Sequence, residues 1–211
     1  MCLMLNNNNA SMIIRVTIML KQTLLIALLG MSASAMAGQF QVKVGASVIA
    51  PTSDTTLAPG AVVKADNEFA FTPSVEYFFN DNLSAELLLA TPVSHDVLLN
   101  GDKVAKIKHL PPTVTAKYHL KNSTGFTPYI GVGGTAFIAW DEEGVAKNVK
   151  EAYGVAGQIG FNFQPADAKN WGVFFDARYA QISPEVTLID GTKFDLDIDP
   201  MVYTLGYSYK F

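Results

Sequence analysis

The chain has a single cysteine, Cys2, and only three histidines among 211 residues. One thiol forms no internal disulfide, and His95, His109 and His119 are too scattered to make a metal site, so neither a cysteine framework nor a metal centre is expected. Charge is also sparse: 16% of residues are Asp, Glu, Lys or Arg, the formal net charge is −4, and no run of Lys or Arg occurs. That balance excludes nucleic acid as a partner. After Gly38 the chain lacks any apolar run approaching the ~18–20 residues of a membrane helix. What it has instead is glycine and aromatics in quantity, with 16 Gly, 13 Phe and 8 Tyr in a chain 49% hydrophobic. Such a composition fits a strand-rich domain rather than a helical enzyme.

The amino end carries a separate pattern. Lys21 precedes an apolar run over 23–31, followed by Ser32, Ala33, Ser34 and then Ala35-Met36-Ala37. A positive start, a short apolar middle and a small-x-small site describe a secretory signal peptide, so 1–37 is expected to be removed and 38–211 to be the mature domain. Asn6 to Asn9 and Arg15 do not fit that pattern. Translation is therefore expected to begin at Met12 or Met19.

From Gly38 onward side chains alternate with a period of two in eight segments, about 39–50, 68–79, 83–91, 107–120, 126–140, 152–163, 171–182 and 201–211. The last shows it best. Met201, Tyr203, Leu205, Tyr207, Tyr209 and Phe211 share one face, and Thr204, Gly206, Ser208 and Lys210 share the other. Alternate residues of a strand point to opposite faces, so each segment has an apolar side and a small or polar side. The connections alternate as well: 80–82, 121–125 and 164–170 are short and rich in turn formers, whereas 51–67, 92–106, 141–151 and 183–199 are longer. Eight strands with short turns at one rim and long loops at the other describe an all-β, eight-stranded antiparallel transmembrane β-barrel with periplasmic turns and extracellular loops.

The direction of the apolar face decides between membrane and water. Eight strands leave an interior barely wide enough for side chains, and the rings of Phe69, Phe71, Phe79, Phe161 and Phe163 would overfill it. The opposite face, of Gly, Ala, Ser and Thr, fits. The rings therefore face lipid, and the sheet must close because an unpaired backbone group in hydrocarbon costs several kcal/mol. Phe79, Trp140, Phe163, Trp171 and Phe211, at strand ends, are expected to form interfacial belts.

Several stretches, in order, now carry a resemblance: 86–92 (Glu-Leu-Leu-Leu-Ala-Thr-Pro), 109–113 (His-Leu-Pro-Pro-Thr), 128–133 (Pro-Tyr-Ile-Gly-Val-Gly), 157–160 (Gly-Gln-Ile-Gly), and the close from Asp199-Pro200 to Phe211. The chain resembles the OmpW family of small outer-membrane proteins across nearly all of 38–211. The resemblance implies a narrow, largely apolar channel for passive uptake of small hydrophobic molecules through the outer membrane of a Gram-negative bacterium. It also implies outer-membrane lipid as surroundings and a terminal strand, ending at Phe211, that meets the barrel-assembly machinery. A sealed structural or receptor-type barrel with partner-binding loops is the alternative.

On the residues themselves, the inward faces carry Glu76, Glu86, Lys117, His119, Asp176 and Arg178. Charges of both signs in a narrow lumen are expected to pair with one another, since an unpaired buried charge is costly. Such a network would plug the lower lumen, leaving Leu88, Phe137, Phe174 and Arg178 to line the upper channel. Pro111-Pro112 removes two ladder donors, so the fourth strand must break there and is a candidate for lateral opening to lipid. His95 and His109 fall in or near loops and read as surface residues. The charged stretch from Asp141 to Glu151 is expected to form at most a helical turn. No Ser or Asp stands two residues from His119, so neither catalysis nor a cofactor is expected.

Overall fold

A computed structural model describes residues 40–211, the side chains of 140–143 aside. The signal peptide with its start site and the Trp140 belt position lie outside the described residues. Fifteen strands are described: β1 (Phe40–Ala50), β2 (Thr55–Ala58), β3 (Ala61–Ala65), β4 (Glu68–Phe78), β5 (Leu83–Leu88), β6 (Val93–Leu99), β7 (Asp102–Leu110), β8 (Thr113–His119), β9 (Phe126–Gly144), β10 (Ala146–Val149), β11 (Ala152–Phe163), β12 (Trp171–Ala180), β13 (Glu185–Leu188), β14 (Lys193–Asp195) and β15 (Met201–Lys210).

Eight of them close on themselves in the order β1-β4-β5-β8-β9-β11-β12-β15, every pair antiparallel, and β15 returns to β1 through Gln41–Lys210 to Ala50–Met201. Closure leaves no free edge strand among the eight. The outer surface is apolar: Phe69 is 81% exposed, Val132 68%, Leu205 65% and Tyr207 64%. Its inward partners Thr72, Ser84, Thr115 and Thr204 are buried. Phe79, Phe163, Trp171 and Phe211 are exposed at the short-turn rim, and Phe69 and Tyr153 at the other.

The short rim is built from local hydrogen bonds. Asn80 Oδ1 accepts from the backbone N–H of Asn82 at 2.9 Å and of Leu83 at 2.8 Å, and Asn122 Oδ1 accepts from Thr124 N–H at 2.8 Å. Asn and Asp side chains mimic a backbone turn in this way, which is why two or three residues suffice.

The long rim differs from expectation. The connections read as loops are largely strand, and β7-β6-β3-β2 extends the sheet above the upper end of β9. A second small sheet, β10-β13-β14, stands beside it. The segment 107–120 is two strands, because Pro111 and Pro112 lack the N–H that continuity requires. Residues 141–144 are strand rather than helical turn, for Glu143 pairs with Lys106 and Gly144 with Ala105. Together these pieces form a walled vestibule whose apolar lining includes Val63, Val97, Ile107, Val186 and Leu196.

Candidate functional site

Two layers fill the interior. The lower one starts from register. β4 and β5 place Glu76 directly opposite Glu86. Like charges facing each other across a ladder destabilise it unless cations intervene. They come from the strands on either side: Lys43 of β1 lies 2.6 Å from Glu76 Oε2 and 3.6 Å from Glu86 Oε1. Lys117 of β8 lies 3.0 Å from Glu76 Oε2 and 3.3 Å from Glu86 Oε2. Two lysines thus bridge two carboxylates, and both ammonium groups are fully buried.

The remaining lone pairs are used too. Ser74 Oγ donates to Glu86 Oε1 at 2.7 Å, Ser84 Oγ to Glu76 Oε1 at 2.5 Å, and Gln158 Nε2 to Glu86 Oε2 at 3.3 Å. Tyr129 stands at the centre. Its hydroxyl donates to Asp176 Oδ2 at 3.0 Å, and its ring lies 3.8 Å from Lys117 Nζ and 5.1 Å from Lys43 Nζ. Gly160 opposite makes this possible, since a Cβ there would sit 2.6 Å from the tyrosine hydroxyl. Arg178 completes the layer, with Nη2 3.3 Å from Glu86 Oε2 and Nε 3.5 Å from Asp176 Oδ1. Three cations and three carboxylates therefore share one buried layer across the lumen.

All six charged or titratable residues anticipated for this layer meet there. Lys43 and Tyr129 join them unanticipated, although each alternates with outward neighbours, Val42 and Val44 for the one and Ile130 for the other. Nothing along the sequence says that residues so far apart share one level. Phe174 also differs from expectation: its ring lies 5.2 Å from Lys43 Nζ, beside Gly206. β12 rises from Trp171, so Phe174 stands below Asp176 and Arg178 rather than in the upper channel.

His119 acquires a partner that its own strand did not offer. Its Nε2 is 2.9 Å from Ser84 Oγ and 2.9 Å from Glu76 Oε1. A serine, a histidine and a carboxylate in contact invite comparison with a hydrolytic triad. There the imidazole uses one nitrogen for the nucleophile and the other for the acid, whereas here one nitrogen serves both. All three side chains are at most 1% exposed, which leaves no room for an acyl substrate.

Above this layer the interior turns apolar. A cavity of about 40 Å³ lies over Arg178, walled by Leu88, His109, Pro111, Phe137 and Ile182 among others. Higher still, all four long connections enclose a cavity of about 370 Å³, with Leu57, Val63, Val97, Ala146, Val186 and Phe194 in its wall. That volume falls within the roughly 300–1,000 Å³ typical of small-ligand pockets. Phe137, Ile107, Ile182, Leu196 and Ile198 belong to the apolar cluster that joins the two.

His95 and His109 are here, not on the surface. Both are buried in the β6–β7 hairpin, which lies outside the eight crossing strands. Their rings stack at 5.0 Å, and His109 also stacks on Phe137 at 4.3 Å. His95 Nδ1 lies 2.7 Å from Asp66 O, a carbonyl that can only accept, so Nδ1 carries the proton. Burial pushes the His109 imidazole down to about 3, with His95 adding to the effect. The sequence signal for burial was there: both histidines sit at alternate positions among Val93, Val97 and Ile107, whose side chains face inward.

The wall has one interruption beside these residues. The β5–β8 ladder ends at Leu88–Thr113, and the β6–β7 ladder begins at Val93–His109. Between them Leu89 and Thr91 donate to Pro73 O and Phe71 O of β4, away from Pro111 and Pro112, which have no N–H to offer.

Set beside known proteins, the chain matches the OmpW family over residues 36–211. It belongs to that family. Outer membrane protein W of Vibrio cholerae serotype O1 is 30% identical over 196 residues, covering 82% of this chain and 89% of the relative. Outer membrane protein AlkL of Ectopseudomonas oleovorans is 24% identical over 166 residues, 72% of this chain and 70% of its own. The crystal structure of the outer membrane protein OprG from Pseudomonas aeruginosa superposes with a TM-score of 0.75 at 26% identity, over 83% of this chain and 96% of that one. This OmpW-family barrel is accordingly an outer-membrane protein of a Gram-negative bacterium. Its short turns are periplasmic, its vestibule is extracellular, and lipid surrounds the wall.

Proposed function

We propose that this barrel is a conduit that admits small hydrophobic molecules from outside and releases them sideways into the outer membrane. The observation that carries it is the apolar cavity of about 370 Å³ standing over a lumen filled by paired charge. A hydrophobic solute gains by entering the vestibule, roughly 25 cal/mol for each Å² of apolar surface it buries. It cannot continue downward, because parting the ion layer would strand buried charges. The remaining way out is through the wall, and the interruption at Pro111 and Pro112, next to Leu88 and Phe137, is where least pairing must be broken. The exposed tips Leu57 and Ile189 offer an apolar rim at the mouth. We read Ser84, His119 and Glu76 as part of the plug and assign the barrel no catalytic role.

The test compares uptake of a hydrophobic dye by cells with and without the gene, and by cells carrying Pro111→Val with Pro112→Thr, which restores two backbone donors. Uptake several-fold faster with the native gene, and slowed by the double substitution, is expected. Equal uptake with and without the gene would favour a sealed receptor-type barrel; fast uptake by the double variant would reject the lateral route alone. Planar bilayers holding the native protein should show no ohmic pore. We further propose that β15 and Phe211 are what the barrel-assembly machinery engages, with loss of heat-modifiable barrel on removing Phe211 as the readout.

A further inference from the structure

Arg178 is 3% exposed, yet its guanidinium is only partly used. Nη2 meets Glu86 at 3.3 Å and Nε stands 3.5 Å from Asp176 Oδ1, while Nη1 has no hydrogen-bond partner among the described residues. The same residue forms part of the wall of the 40 Å³ cavity at the foot of the vestibule. His109, in that wall too, is 4% exposed with neither ring nitrogen hydrogen-bonded. Buried donors left unpaired are costly, and a barrel that keeps two of them beside one small cavity has a place for an acceptor. Thr113 and Thr135 add no competing demand, since Thr113 Oγ1 already donates to Thr135 Oγ1 at 2.9 Å. The wall beyond is largely apolar, with Ile182 and Ile198 in the lower cavity and Ile107 and Leu196 in the upper.

We propose that the conduit's preferred cargo is an amphiphile with a carboxylate head and a short aliphatic chain. The head docks on Arg178 Nη1 and His109, and the chain runs up among Ile107, Ile182 and Leu196. This rests on the conduit reading above and adds the head-group chemistry. A guanidinium presents paired donors that match a carboxylate, and such charge-assisted bonds are about twice as strong as neutral ones. His109 supplies a neutral N–H, because burial keeps it uncharged. His95 supplies none on this side: its proton is committed to Asp66 O, so Nε2 can only accept. The carboxylates facing Arg178, Glu86 and Asp176, do not turn the site anionic. Lys43 and Lys117 hold Glu86 from the other side, and the Tyr129 hydroxyl donates to Asp176. A cationic amphiphile would bring its charge against the Arg178 guanidinium, and a neutral alcohol leaves that guanidinium half-satisfied.

The test is calorimetric titration of the full barrel in lipid nanodiscs, corrected for empty nanodiscs, with octanoate and with 1-octanol, which share a chain length. Octanoate binding at least tenfold tighter than 1-octanol is expected, and Arg178→Gln should bring the ratio near one. His109→Leu, which keeps an apolar group against Phe137, should lower the ratio several-fold and serves if Arg178→Gln does not fold. A native ratio of one or less, or a ratio that survives Arg178→Gln, overturns the proposal while leaving the conduit reading in place. If neither probe binds, the conduit reading falls and this inference falls with it.

Discussion

The two halves of one lumen are closed and opened by opposite chemistry. Below, Lys43, Glu76, Glu86, Lys117, Tyr129, Asp176 and Arg178 fill a narrow ring with ion-paired and hydrogen-bonded groups, all of them buried. Above, the same strands or their extensions present Val63, Ile107, Phe137, Ile182 and Leu196, and the space widens to a cavity of about 370 Å³. A charged lumen is usually thought of as a water path. Here the charges fill the space, because the carboxylates and ammonium groups are drawn onto one another, and of these ions only Arg178 keeps a free donor toward the cavity above. The greasy half is the open one, since apolar side chains make no directional bonds that would draw the walls together.

The strongest way to break the contrast is to unbalance the seal. Glu76→Ala leaves Lys43 and Lys117 short of a carboxylate, and removing one partner of a buried pair costs about 3–5 kcal/mol. Urea unfolding in lipid should show that loss; a loss under about 1 kcal/mol would mean water already reaches the layer.

The second concerns the outside of the same wall. Val132, 68% exposed near the middle of its strand, should tolerate arginine poorly, at about 2–4 kcal/mol, whereas Tyr153→Arg at the belt should cost about 0–1 kcal/mol. Equal costs at the two depths would misplace the membrane.

Third, Glu86→Gln and Lys117→Met should not be additive. Their coupling is expected at about 1–3 kcal/mol in a double-mutant cycle, and simple addition would show that the contact seen at 3.3 Å contributes nothing.

The smallest effect belongs to the vestibule. His109 is held down to about 3, so the folded hairpin stays neutral where the unfolded chain, near 6.5, takes up a proton. The folded pKa is the lower one, so stability is present above about pH 6.5 and is lost as pH falls toward 3. Between pH 7 and 5 that amounts to about 1–2 kcal/mol. Amide protection across β6 and β7, corrected for intrinsic exchange, should fall accordingly, and His109→Leu should flatten the profile.

Much of this was legible in the chain. Alternation in 201–211 separated Tyr203, Leu205 and Tyr207 from Thr204 and Ser208, and turn formers at 80–82 and 121–125 set the short rim. Both follow from local rules, because a strand's side chains alternate whatever its neighbours are and a tight turn is chosen by its own residues. The break at Pro111 and Pro112 is local too, being a missing N–H. The burial of His95 and His109 is not legible in this way, because a long connection reads as surface whereas the β6–β7 hairpin is part of the wall.

What the sequence by itself determined is therefore which face of each strand meets lipid, how many strands cross, and where one ladder must stop. Only the tertiary structure decided that Lys43 and Lys117 lie level with Glu76 and Glu86, that Ser84 reaches His119, that Phe174 lies under the seal, and that four connections enclose a vestibule. Those facts depend on the stagger between strands distant in sequence. Stagger is set by closing the whole ring at once, so no single segment encodes it.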